Sequence, residues 1–132
     1  MSKVHWYIEA ETGFAILAPE GTLDEAQANE YMAMLERDIP PGIPCYLLLD
    51  GRKSVSATPG ARNVLGTKWH DGPTYMAAFG LSVSARILLT LVQRGLEIKL
   101  PEFRGTVVAD ETAARAWLTE RKRRYLAERG QT

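Results

Sequence analysis

Cys45-Tyr46-Leu47-Leu48-Leu49-Asp50, then the polar run 51–57, then Thr58-Pro59-Gly60, is the stretch from which the rest of the chain can be read. Its first five residues are apolar without alternation, the pattern of a strand covered on both faces inside a parallel sheet. Thr58 is placed to cap a helix with Pro59 at the first helical position, where a missing N–H costs nothing. A strand that leads through a polar loop to a helix N-terminus is one βα turn of an open α/β sheet. Ligands and partners of such sheets gather at the carboxyl ends of the strands.

Working outward, residues 4–9 are rich in β-branched and aromatic side chains, and Glu11-Thr12-Gly13 reads as a turn into a second apolar run, 14–18. The pair predicts a β-hairpin. Thr22-Leu23-Asp24-Glu25 has the form of a capping box, and Ala26, Tyr31, Met34 and Leu35 follow near helical spacing as far as Pro40-Pro41-Gly42. Beyond the central strand, the helix begun at Thr58 is expected to run to about His70, where Asp71-Gly72-Pro73 breaks it. Thr74–Phe79 reads as a strand. Ser82 or Ser84 starts an apolar helix through Ile87, Leu88, Leu91 and Val92, with Gly95 a plausible stop. Residues 103–108 form the last strand, and Asp110 caps a final helix with Ala113, Trp117 and Leu118 inward and Arg121–Arg124 outward. The order is β-β-α-β-α-β-α-β-α: a mixed, mostly parallel five-stranded sheet with four helices, one domain over residues 1–132.

Charge and composition exclude several classes. The 132 residues carry sixteen acidic and sixteen basic side chains, and a net charge of zero argues against a nucleic-acid binder. Cys45 is the single cysteine, so no internal disulfide can form. His5 and His70 lack metal-ligand spacing, and no nucleophile stands beside a base, so neither cofactor nor enzymatic activity is expected. The start of the sequence lacks the pattern of a secretory signal, and the apolar runs 46–49 and 87–92 are too short to span a membrane. A cytoplasmic location is the expectation.

The element order, Leu47-Leu48-Leu49-Asp50, the loop leading to Thr58-Pro59-Gly60 and the closing Ala113-Ala114-Arg115-Ala116-Trp117-Leu118 together resemble the SpoIIAA-like, or STAS-type, family over residues 4–125. The resemblance implies successive βα turns with helices chiefly on one side of the sheet. It also implies a bacterial regulatory or protein-interaction module, or a binder of a small amphipathic or lipid-like ligand, because the SpoIIAA-like branch is likened to CRAL-TRIO domains. Signalling members carry a phosphorylated serine at this helix start. Counting from Asp50, that serine falls on Pro59, which has no hydroxyl, so the phosphoswitch does not carry over.

The loop is still the best candidate site. Asp50, Arg52, Lys53, Ser56, Thr58 and Arg62 surround a helix N-terminus whose free amides and partial positive charge suit an anionic group. Ser82 and Ser84, at the end of the next strand, lie beside it by the same topology. These hydroxyls are also ordinary caps. Arg86 opposes its helix dipole and suggests an acidic neighbour such as Asp50 or Asp110. The run Arg121–Arg124 fits a solvated helix end. With helices on one side, one sheet face, carrying Tyr46, Leu48, Tyr75, Ala77 and Phe79 or the complementary positions, is expected to need cover, from a homodimer first, or else from the N-terminal hairpin or a different chain.

Overall fold

A computed structural model of the chain describes residues 3–67, 69 and 71–130. His70 and residues 131 and 132 lie outside the described residues. The elements are β1 (Lys3–Ile8), β2 (Ala15–Leu23), α1 (Glu25–Asp38), β3 (Cys45–Asp50), β4 (Ser54–Ala57), α2 (Pro59–Thr67), β5 (Thr74–Phe79), α3 (Val83–Lys99), β6 (Phe103–Val107) and α4 (Glu111–Glu128). The sheet runs β1-β2-β3-β5-β6, with β4 paired to β2. Only β1 is antiparallel to its neighbour.

The polar run after β3 is therefore not all loop, and the sheet has six strands where five were expected. β2 is long enough to pair with β3 through Ala15–Leu17 and with β4 through Gly21–Leu23, taking Thr22 opposite Ser56 and Leu23 opposite Ala57. That pairing keeps Thr22 in the strand and moves the helix cap. Asp24 accepts from the Gln27 amide at 2.8 Å, and the Gln27 side chain accepts from the Asp24 amide at 3.0 Å. The capping box exists two residues later than the Thr22 expectation. Gly95 likewise fails to stop α3, which continues to Lys99. Leu100 closes it by donating to the Leu96 carbonyl at 2.7 Å, and Pro101 forbids a further turn.

The core has two layers of contact, one on each face of the sheet. Ala15, Leu17, Cys45, Leu47, Met76 and Phe103 pack against α1, α2 and α3. Phe14, Ile16, Tyr46, Leu48, Ala77 and Phe79 pack against Ala114 and Leu118 of α4. The face expected to be bare is thus covered within the chain. Right-handed crossovers hold a helix to one side only when it joins two parallel strands. α4 joins no two of the described strands, and it packs on the other face. It meets the sheet through Ala114 and Leu118, both with 0% exposure, with Trp117 half-buried beneath Arg121. Ala113, expected inside, is exposed.

The N-terminal hairpin is tied to both helical layers. The Trp6 indole donates to Asp38 at the end of α1 at 2.7 Å. In the turn, Glu9 receives two bonds from the Arg115 guanidinium, at 2.7 and 2.9 Å, and one from the Thr12 hydroxyl at 2.6 Å. Lys122 donates to the Thr12 carbonyl at 2.6 Å.

Two measurements test this layout. Leu118→Ala should cost about 2–5 kcal/mol in a denaturant titration, as for other buried leucines, while Ala113→Ser changes little. The Glu9 carboxyl is held down to about 2, first by Arg115 and then by Thr12. A depressed carboxylate contributes stability above its unfolded value, and that contribution is lost as pH falls through the folded one. The melting-temperature gap between the natural chain and Glu9→Gln should be full at neutral pH, then close from about pH 4 downward.

Candidate functional site

Between α2, α3 and the first face of the sheet lies a cavity of about 380 Å³. Its floor is Leu17, Leu47, Leu49 and Met76, its far walls are Leu65 and Trp69 on one side and Leu88, Leu89 and Val92 of α3 on the other. Val55, Ser56 and Ser84 line it and are exposed, so they mark its rim.

The cavity follows from how α3 is seated. Its two buried residues, Gln93 and Leu96, are both in its C-terminal half. There the Gln93 amide donates to the Thr106 carbonyl at 3.2 Å and packs so closely on Gly105 that a side chain would collide with it. The N-terminal half is set by a crowded crossing where β3 and β5 end. Gly51 leaves room for Leu81, and Gly80, at φ +76, abuts the Arg52 backbone. α3 departs from that crossing with its apolar Leu88, Leu89 and Val92 facing a space the sheet does not fill.

Polar groups of three kinds interrupt the apolar lining. Tyr31 of α1 is 1% exposed, and its hydroxyl is buried with no hydrogen-bond partner among the described residues. Burial first, and the charge of Glu30 second, push its phenol well above the ordinary tyrosine range, so it is a neutral donor. Arg62, in the first turn of α2, lines the cavity with its Nε buried and equally unpartnered. Serine hydroxyls of Ser54, Ser56 and Ser84 complete the set; Ser56 also shares a bond with Thr22 at 3.2 Å.

The structure divides the residues expected to form one anion site. Ser56, Arg62 and Ser84 line the cavity. Thr58 does cap α2, accepting from the Ala61 amide at 3.2 Å, and Ser82 caps α3, accepting from Ala85 at 3.2 Å. Asp50, Arg52 and Lys53 turn away toward β1 and α4. Arg52 grips both oxygens of Asp50, at 3.0 and 2.7 Å, and lies over the Phe79 ring, so its charge is already matched. Lys53 is 3.9 Å from Glu20. The counter-charges suggested for Arg86 are in use elsewhere: Asp50 by Arg52, and Asp110 by the Ala113 amide that it caps at 2.8 Å. β4 is the reason for the division, because it carries Ser54 and Ser56 along β2 while the preceding turn holds Arg52 and Lys53 on the other side.

Tyr31 escaped the sequence reading because its spacing in α1 is that of any core residue. Arg62 was legible as one of the cations expected to add positive charge at the start of α2. Cys45 is fully buried, and burial pushes its thiol up to about 12, so it is no nucleophile at neutral pH. Among the described residues no cluster of His, Cys, Asp and Glu could hold a metal, and no helix is long and apolar enough to cross a membrane.

The sheet order, the antiparallel first strand and the helical layers define a SpoIIAA-like fold, as the resemblance implied. A solved structure that shares it is an uncharacterized protein of the DUF3478 family with a SpoIIAA-like fold from Shewanella loihica PV-4. It superposes with a TM-score of 0.60 at 15% identity, covering 89% of this chain and 93% of that one. No protein-family model and no curated protein matches the sequence.

The orphaned hydroxyl gives a direct test. An unsatisfied buried donor is destabilising by about 1–3 kcal/mol, so Tyr31→Phe should raise the stability of the ligand-free protein by about 1 kcal/mol in a denaturant titration. A loss of stability would mean that the hydroxyl already has a partner.

Proposed function

We propose that this chain binds a small amphipathic ligand in the cavity between α2, α3 and the sheet. The observation that carries this reading is a mostly apolar cavity whose lining includes Tyr31 and Arg62, two side chains that each bury a polar atom without a partner. Protein interiors are close-packed, and voids larger than a water molecule are few. A space of about 380 Å³ belongs with ligand pockets, which run from about 300 to 1,000 Å³. Such pockets combine apolar walls with a few polar groups that orient the ligand, and this lining has that composition. No chemistry on the ligand is implied, since no described nucleophile is paired with a base at the cavity. The fold supports a STAS-type module, and ligand binding gives that module something to carry or to sense.

A second reading, a bacterial regulatory module that docks a protein partner or a second copy of itself, is favoured by one feature of α3. Val83, Ile87 and Leu91 recur every fourth residue on its outer face, and each is more than half exposed. Sedimentation at micromolar concentration separates the two. A dimer abolished by Ile87→Asp would support docking through this face.

For the ligand reading, native mass spectrometry of protein isolated from its own host should show an added small-molecule mass. Leu88→Trp, which fills the cavity, should remove that mass. Ligand at a hundredfold excess over its Kd should stabilise the natural chain by about 2.7 kcal/mol and leave Leu88→Trp unaffected. A clean unliganded mass together with no stabilisation by alkyl amphiphiles would sink the proposal.

A further inference from the structure

We infer that the ligand is a single-chain amphiphile with an anionic head, a carboxylate or a phosphate monoester, held by the Arg62 guanidinium. This rests on the ligand-binding reading above and adds the chemistry of the head group.

Arg62 is the one charged side chain on the cavity wall among the described residues. Its Nε is buried without a partner, whereas Arg52 is matched by Asp50, Arg94 by Glu97, Arg115 by Glu9 and Glu111, and Arg123 and Arg124 by Glu120. Glu25 packs against Gly60 at the same helix end but makes no ion pair with Arg62. A buried guanidinium N–H left unbonded is destabilising, and it persists in a wall only where something accepts from it. The position does not serve the helix either, because a cation in the first turn of α2 opposes its macrodipole.

The remaining polar groups agree with an anion. Tyr31 is a neutral donor, Ser84 carries a hydroxyl, and the lining contains no carboxylate. A planar guanidinium fork fits two oxygens of one carboxylate or phosphate, which a point charge does not. The volume, near the lower end for ligand pockets, suits one alkyl chain along Leu47, Leu88 and Val92.

The test compares three ligands of equal chain length, decanoate, decyl phosphate and decanol, by calorimetric titration of the natural chain and of Arg62→Gln. A charge-assisted bond corresponds to the natural chain binding the anions roughly ten- to a hundredfold more tightly than decanol. Arg62→Gln should erase that preference and leave the decanol affinity unchanged, which also shows that the variant keeps its cavity. The tighter of the two anions identifies the head group. Equal binding of all three by the natural chain, or a preference that survives Arg62→Gln, overturns the inference and leaves the amphiphile reading standing. Failure of the natural chain to bind any of the three overturns both.

Discussion

β3 is buried on both faces, and that constraint organises the layers around it. Leu47 points to the side of α1, α2 and α3, and Leu48 to the side of α4. A strand of this kind cannot sit in a sheet with one wet face, because each exposed leucine would lose about 1.5–3 kcal/mol of burial. The chain answers with α4, which among the described helices is the one packed on that second face. Once α4 lies across β3 and β5, the turn of the N-terminal hairpin comes within reach of Arg115 and Lys122, and these bonds close the edge of the molecule.

The same strand sets where binding can occur. Where β3 ends, the chain makes a short turn at 51–53 and resumes as β4 beside β2, while β5 ends at the Gly80 turn. Sheet continuity is lost between β4 and β5, and α3 starts over the gap without filling it. A crevice outside the carboxyl ends of parallel strands is the usual ligand position in open α/β sheets. Here it is deepened by a helix anchored only through its second half. The charges sort themselves accordingly. Arg52 and Asp50 neutralise one another on the α4 side, and Arg62 is left facing the crevice.

Pro59 places this chain apart from the phosphorylated members of the family that it resembles. The helix start that would carry a phosphate there is retained as a well-formed cap, with Thr58 bonded to Ala61. In the ligand-binding reading proposed above, the same helix end has a different use, with Arg62, one turn along, lining the cavity.

Local chemistry was enough to determine most of the element order. The double-faced run 45–50, the Thr58-Pro59 and Asp110 starts and the Asp71-Gly72-Pro73 break each act within a few residues, and each holds in the structure. The mis-assigned ends were those decided by distant partners. Thr22 lost its capping role to the β2–β4 pairing, and Gly95 was carried through by Gln93 and Leu96, buried on either side of it. The side of the sheet taken by α4 was also beyond local reading, because Ala114 and Leu118 find their surface only where β2, β3 and β5 lie side by side. The site divides in the same way. Arg62 was named from sequence, since its place just inside a helix N-terminus is a local fact. Tyr31 did not, because nothing in α1 distinguishes a tyrosine that fills a core from one whose hydroxyl meets a cavity. That difference depends on where α3 stands, about sixty residues away in sequence, and a gap in packing exists only once all its walls are assembled.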